Sequence, residues 1–246
     1  MKKLLPLLSC LLLVGCGEKK GVGDNGQTDT GSAIEKPTAP NESEAPSVDG
    51  ATVELPANEV ADLPALPETV TKEFIMGLWA KPHDGRDIIK EFADDQLREG
   101  IWKVISNRGP RRGEIAQTIG ATMTLKMIDR RYQVWEWREG EFLSYTVATY
   151  DYDASRYRWW GASPEETSIF EHSGRRYWRN LIEWKAVNLP DPELQSTMRT
   201  TFISEDGKRF KVIGKAKRNG EVVSYSTSEF SWHSELPEEH RSREAK

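Results

Sequence analysis

Turn signals recur at short spacing along this chain between residues 84 and 220. They are Asp84-Gly85, Glu139-Gly140, Asp153-Ala154-Ser155, Ser173-Gly174, Asp206-Gly207 and Asn219-Gly220. Several are flanked by runs such as 209–217, in which apolar and polar residues alternate and one strand face is buried. Because tight turns between such runs form hairpins, the pattern predicts an all-β, antiparallel meander.

The alternating runs divide into roughly ten predicted strands, enough to close a barrel or to form a strongly curled sheet. They fall near 88–92, 99–106, 121–128, 131–138, 142–151, 156–161, 167–172, 176–186, 197–204, 208–217 and 221–232. One short amphipathic helix is predicted before them, from Pro67 through Leu78. The stretch 110–119 is predicted to hold a short helix or a lid-like loop, and 191–195 a single turn.

The first 16 residues have the pattern of a bacterial lipoprotein signal peptide. Lys2 and Lys3 precede an apolar run of eleven residues, too short to span a bilayer, that ends in Leu13-Val14-Gly15-Cys16. We therefore predict a signal peptide over 1–15, lipid attachment at Cys16 and membrane anchoring. An ordinary secretory peptide that happens to contain cysteine is the alternative.

Composition separates the rest of the chain into three parts. Residues 16–65 lack Phe, Trp and Tyr and carry excess acidic charge, which predicts a lipidated cysteine followed by a disordered acidic tether. All 23 aromatic residues fall between Phe74 and Trp232, so the barrel domain is predicted over 66–234 and a polar tail over 235–246. No disulfide is expected, because cleavage would leave Cys16 as the last cysteine.

Charge argues against a nucleic-acid partner. Residues 17–65 hold ten acidic and three basic side chains, and the total for the chain is −5. Allowing for the two leader lysines, residues 66–246 carry no net charge. Because clustered positive charge supplies most of the affinity for nucleic acid, binding to nucleic acid is not expected.

Short motifs at both ends of the predicted barrel resemble those of the DUF1579 family of secreted or lipid-anchored bacterial proteins. Gly77 and Trp79 match its early Gly-x-Trp, at which glycine would allow close backbone approach and the indole would cover the barrel end. Tyr150, Asp151, Tyr157 and Trp160 match its central hairpin, and Asp206-Gly207 its late turn. The resemblance covers about 70–232. It implies a lipocalin-like, calycin-type β-barrel and no established reaction.

No constellation of residues in the sequence matches a known catalytic or metal site. The histidines at 83, 172, 233 and 240 lack metal-ligand spacing, although a cross-strand site from the first three is an alternative. Asp151-x-Asp153-x-Ser155 opens like a calcium loop but has Arg156 in place of glycine, so it is interpreted as a hairpin turn. We expect no enzyme activity, no metal and no cofactor.

The tryptophans are the remaining distinctive feature, and each either fills the core or lines a cavity. Assuming alternation within 176–186, Trp178 and Trp184 are predicted to share an inner face. The candidate ligand-binding residues are Trp79, Met123, Trp135, Trp137, Tyr150, Trp160, Trp178 and Tyr225. They predict a barrel that binds a small hydrophobic or amphiphilic ligand without catalysis.

An alternative is a solid barrel that serves as an envelope interaction or assembly module. In either case the predicted location is the cell envelope. In a two-membrane bacterium this would be the outer membrane, facing the periplasm, because residue 17 is glycine and not the aspartate that favours inner-membrane retention.

Overall fold

A computed structural model describes residues 62–83, 88–93, 97–189 and 191–240. All of them belong to one compact unit. The predicted signal peptide, Cys16, the tether at least as far as residue 61, the turn Asp84-Gly85 and the last six residues of the tail lie outside the described residues. Within the described residues, no helix has the length and apolar character needed to cross a bilayer.

The described residues form a closed ten-strand barrel, which confirms the predicted all-β class. The strands are β1 (Gly100–Gly109), β2 (Gln117–Ile128), β3 (Tyr132–Glu139), β4 (Phe142–Asp151), β5 (Arg156–Ala162), β6 (Ile169–Trp178), β7 (Leu181–Asn188), β8 (Leu194–Phe202), β9 (Arg209–Arg218) and β10 (Glu221–Ser234). Each strand pairs antiparallel with the next, and β10 returns to β1. Closure leaves no free strand edge.

Several connections contain the predicted turn residues. Asn219 and Gly220 both have positive φ, 52° and 82°, as a two-residue hairpin turn requires. Between β4 and β5, the Asp151 Oδ1 atom accepts a hydrogen bond from the Ala154 amide at 3.0 Å, so this segment is the predicted hairpin turn. The loop from Pro110 to Ala116 contains no helix.

Three strand-level predictions are wrong. Residues 88–92 are not a strand, because a four-residue helix, α2 (Lys90–Ala93), lies there. Residues 176–186 are not one strand, since the chain reverses at Arg179 and Asn180 between β6 and β7. Ser173-Gly174 is not a turn but lies within β6.

The predicted N-terminal helix is present but begins later than Pro67. It is α1 (Lys72–Ala80), and the Thr71 hydroxyl caps it by accepting a hydrogen bond from the Phe74 amide at 3.2 Å. Ile75 and Leu78 are buried against the outer face of the barrel, beside Val134 and Val147. The helix therefore covers one part of the wall from outside.

Two ends of the barrel can be distinguished by their loops. The α2 end holds the connections after β2, β4, β6 and β8, together with α2 itself; the far end holds the connections after β1, β3, β5, β7 and β9. At the α2 end Phe92 is only 2% exposed. At the far end, buried Phe170, Leu194 and Ala216 pack together.

Gly77 lies in α1 and not at a close backbone approach. A Cβ atom built there meets no heavy atom within 4 Å. Because glycine is about 1 kcal/mol less favourable than alanine inside a helix, we expect Gly77→Ala to raise the free energy of unfolding by roughly 0.5–1 kcal/mol. Urea unfolding of the two proteins measures this. A loss of stability would contradict the expected space around Gly77.

Candidate functional site

A cavity of about 120 Å³ lies inside the barrel, between α2 and the middle of the strands. Its aromatic lining consists of Phe92, Trp135, Trp137, Trp159, Trp184, Phe202, Phe210 and Phe230. Pockets for drug-sized molecules range over about 300–1,000 Å³, whereas an apolar cavity of about 150 Å³ accepts benzene. The cavity is therefore the size of a single ring or a short chain.

Strand alternation brings these side chains together. Gln133, Trp135 and Trp137 occupy every second position of β3 and all line the cavity. Cross-strand register then continues the lining, with Trp135 opposite Thr146 and Gln133 opposite Ala148 on β4. The wall is thus built from short, regular segments of neighbouring strands.

Ring contacts hold together the part of the cavity wall that is formed by β9 and β10. Phe210 stacks on Phe230 with centroids 4.1 Å apart and planes at 11°. Trp102 and Trp135 approach Phe210 edge-on, at 5.3 and 6.0 Å. Such aromatic pairs contribute to stability beyond their buried area, so this side of the cavity is a packed aromatic cluster.

Polar atoms in the wall fall into two groups. The Trp184 Nε1 atom donates to the Thr200 hydroxyl at 3.0 Å, and the hydroxyls of Ser106 and Ser228 are 2.8 Å apart. By contrast, the Gln133 Nε2 and Trp137 Nε1 atoms are buried with no hydrogen-bond partner within the described part of the chain. Among the lining residues that the structure describes, none is ionisable.

Hydrogen bonds to Glu91 hold α2 in the mouth of the barrel. Tyr152 donates to the Glu91 carboxylate at 2.5 Å, while Tyr157 and Arg176 both donate to its backbone carbonyl at 3.0 Å. Burial and the neighbouring Glu91 carboxylate raise the pKa of Tyr152, so this phenol stays protonated and remains a donor. Phe92 is thereby fixed against the cavity.

Three of the eight candidate residues, Met123, Trp135 and Trp137, line the cavity. Tyr150 lies on the inner face of β4 but packs at the α2 end of the barrel. There its ring centroid is 5.0 Å from that of Tyr152 and 5.0 Å from that of Tyr157. It does not reach the cavity lining. Ligand binding by these residues stays a prediction.

The other four candidates do not lie on the inner face. Trp160 is fully buried but points outward beneath α1, and the neighbouring Trp159 lines the cavity instead. Trp178 ends β6 and is 61% exposed, so it does not share an inner face with Trp184. Tyr225 lies on the opposite face from the buried Ser224 and Ser226.

Trp79, the fourth of these, lies on α1 outside the barrel, where it forms an outer cluster with Lys126 and His240. The Lys126 ammonium lies 4.2 Å from the Trp79 ring centroid and donates to the backbone carbonyls of Trp79 and Lys81. Burial lowers the pKa of Lys126 to about 8. The His240 ring also packs against Trp79, with centroids 5.1 Å apart. Lys126 therefore caps the end of α1.

The histidines lie in different surroundings. His172 is fully buried inside the barrel, His233 is exposed on β10, and His83 pairs with Glu99 at 2.9 Å. Among the described residues, no group of three or more His, Cys, Asp or Glu side chains is arranged to hold a metal ion.

Sequence reasoning missed several lining residues, among them Trp159, Phe210 and Phe230. The alternation within β9 and β10 could have identified the last two, because both strands show a clear period of two. Nothing in the sequence of β5 distinguishes Trp159 from Trp160, since both faces of that strand are covered.

No protein-family model and no curated protein matches this chain. Among solved structures, the chain is similar to a protein of unknown function from the DUF3598 family of Nostoc punctiforme, with a TM-score of 0.42 and 12% sequence identity. The similarity covers 60% of this chain and 50% of that protein, so the chain spans about half of its length. The resemblance to the DUF1579 family stays a prediction.

Proposed function

We propose that this barrel binds a small apolar molecule, of the size of one ring or a short acyl segment, without catalysis. The observation that carries the proposal is the cavity of about 120 Å³ inside the barrel, with eight aromatic side chains in its wall. Concave, mainly apolar sites with a few placed polar groups are typical of small-molecule binding. The absence of ionisable groups among the described lining residues favours binding over acid–base chemistry.

The cavity limits the ligand class more narrowly than the sequence does. Sterols and long fatty acids exceed its volume, because even drug-sized ligands need several hundred Å³. Toluene is a suitable first probe, since benzene fits an apolar cavity of similar size.

Titration with toluene tests the proposal. We expect saturable binding of one toluene per barrel, seen as a concentration-dependent rise in melting temperature. Ala148→Leu places a larger side chain in the cavity wall and should weaken binding at least tenfold. Trp178→Ala, which changes an exposed residue outside the cavity, should bind as the unaltered protein does. Absence of saturable binding would refute the proposal.

A second candidate function, a docking module, is favoured by the exposed aromatic residues at the end of β6. Tyr177 and Trp178 are 50% and 61% exposed, and the cavity is smaller than the several hundred Å³ typical of carriers. Large exposed aromatic residues are enriched at interfaces. Loss of a binding partner in Trp178→Ala, together with no binding of toluene, would favour this function over the first.

We also propose that the barrel is lipid-anchored in the cell envelope, at the outer membrane and facing the periplasm in a two-membrane bacterium. The support is the sequence pattern that ends at Cys16. We expect Cys16→Ser to move the protein from the membrane fraction to the soluble fraction while its melting temperature stays unchanged. A Cys10→Ser variant is the matched control, because it changes the other cysteine of the chain, which lies within the predicted signal peptide, and it should remain with the membranes. Sedimentation of Cys16→Ser with salt-washed membranes would contradict the anchor.

A further inference from the structure

Two hydrogen-bond donors in the cavity wall have no partner in the described part of the chain. One is the Nε2 atom of Gln133, a residue that is 4% exposed, and the other is the Nε1 atom of Trp137. Both residues line the cavity. Because a buried polar group without a hydrogen bond is costly, native proteins satisfy nearly all of them.

The two donors are a local exception within a satisfied wall. Trp184 donates to Thr200, and Ser228 pairs with Ser106. Trp135, which lies between Gln133 and Trp137 on the same face of β3, lines the cavity but is not among the side chains with a buried, unpartnered polar atom. Among the described residues that line the cavity, the unmet hydrogen bonds therefore lie at the two positions that flank Trp135, about 13 Å apart at their Cα atoms.

The chemistry of these donors indicates which functional group a ligand needs in order to bind them. An indole N–H can only donate, so its partner must be an acceptor. A carboxylate is disfavoured, because the described lining holds no cation to pair with it and an unpaired buried charge is very costly. A neutral carbonyl oxygen meets both conditions.

We propose that the ligand of this cavity is a neutral carbonyl compound, with an apolar ring or short chain against Trp135 and its oxygen accepting a hydrogen bond from Gln133 or Trp137. This inference rests on the proposed binding function and adds the ligand's chemical class to it. The apolar part supplies contact with the aromatic wall, and the carbonyl oxygen supplies the missing acceptor.

The experiment compares three probes of similar size: acetophenone, ethylbenzene and benzoate. Acetophenone has a neutral acceptor, ethylbenzene has none, and benzoate has a charged one. Dissociation constants are measured by NMR titration, with the indole N–H signals followed directly. We expect acetophenone to bind about tenfold or more tightly than ethylbenzene, and benzoate to bind most weakly. The Trp137 indole N–H signal, assigned with Trp137→Phe, should move downfield with acetophenone when Trp137 is the donor.

Matched variants identify the donor. Gln133→Leu or Trp137→Phe should reduce the preference for acetophenone over ethylbenzene to about onefold, depending on which residue donates. Trp135→Phe is the control, since it changes an aromatic lining residue without removing either donor, and it should keep the preference. Because the probe comparison is made on the unaltered protein, it stands even when a variant folds poorly.

The outcomes separate the two proposals. Equal binding of acetophenone and ethylbenzene would overturn the carbonyl inference and leave the apolar-ligand proposal intact. Tight binding of benzoate would likewise overturn it, in favour of an anionic ligand. When ethylbenzene and acetophenone both fail to bind, the cavity holds water alone and both proposals fail.

Discussion

Replacing Trp160 with alanine should lower the free energy of unfolding by about 3–5 kcal/mol, while the affinity of the folded protein for toluene stays unchanged. Trp160 is fully buried, yet its side chain lies on the outer face of β5 between the barrel and α1. It packs with Ile75, Leu78 and Val147, and the Arg158 guanidinium lies 4.7 Å from its ring centroid. The truncation would therefore open a cavity in the wall that the ligand site does not share.

Trp159 provides the matched comparison, because it is adjacent in sequence but lines the internal cavity. Trp159→Ala should enlarge that cavity and change which probes bind, so the two variants separate stability from binding. Urea unfolding and toluene titration of both proteins give the measurement. A loss of less than 1 kcal/mol for Trp160→Ala would show that α1 does not depend on this side chain.

The barrel itself could be predicted because its turns and strands have local signals. The backbone conformation at Asn219, at Gly220 and at Gly207 is left-handed, which is the conformation that these residue types adopt most readily. Alternation in β9 and β10 shows a period of two, since one face is packed and the other is in contact with solvent. These features depend on a few neighbouring residues, so a single sequence reveals them.

The glycine at position 174 is required by packing and not by a turn, which explains why the turn prediction there is wrong. A Cβ atom at this position would lie 2.6 Å from the Trp184 ring. Gly174 is therefore required by an inward-facing tryptophan on the paired strand β7, to which it is opposite in register. A glycine selected by packing across strands looks the same in sequence as a glycine selected by a turn.

Which face of its strand each tryptophan occupies depends on contacts between residues distant in sequence. The β6–β7 turn at Arg179 and Asn180 contains neither glycine nor proline, so alternation continued through it predicts, wrongly, that Trp178 and Trp184 share a face. At Trp159 and Trp160, the outer face of β5 is covered by α1 and its inner face lines the cavity. Both residues therefore have apolar neighbours. Alternation is informative only where one face contacts water.

Acidification should destabilise this barrel through His172. The side chain is fully buried, and both ring nitrogens lack a hydrogen-bond partner within the described residues. The ring packs against both Trp159 and Phe170, at centroid distances of 5.5 and 5.7 Å. Burial without a polar partner penalises the charged imidazolium and lowers the pKa of His172 from 6.5 to about 4.

The sign of the effect follows from which state binds the proton. Between pH 6.5 and pH 4 the unfolded chain protonates this histidine while the folded barrel keeps it neutral, so the free energy of unfolding falls as the pH falls. By pH 4 the loss relative to pH 7 should reach roughly 3 kcal/mol from this group alone. Above pH 7 the contribution is constant.

A His172→Phe variant removes the titrating group but keeps a flat ring against Trp159 and Phe170. We expect urea unfolding from pH 7 to pH 4 to show about 3 kcal/mol less acid destabilisation in this variant than in the unaltered protein. His233→Phe is the matched control, because it makes the same replacement at an exposed position. Identical pH profiles for His172→Phe and the unaltered protein would mean that the folded barrel admits the proton, and that the His172 ring has access to a polar partner.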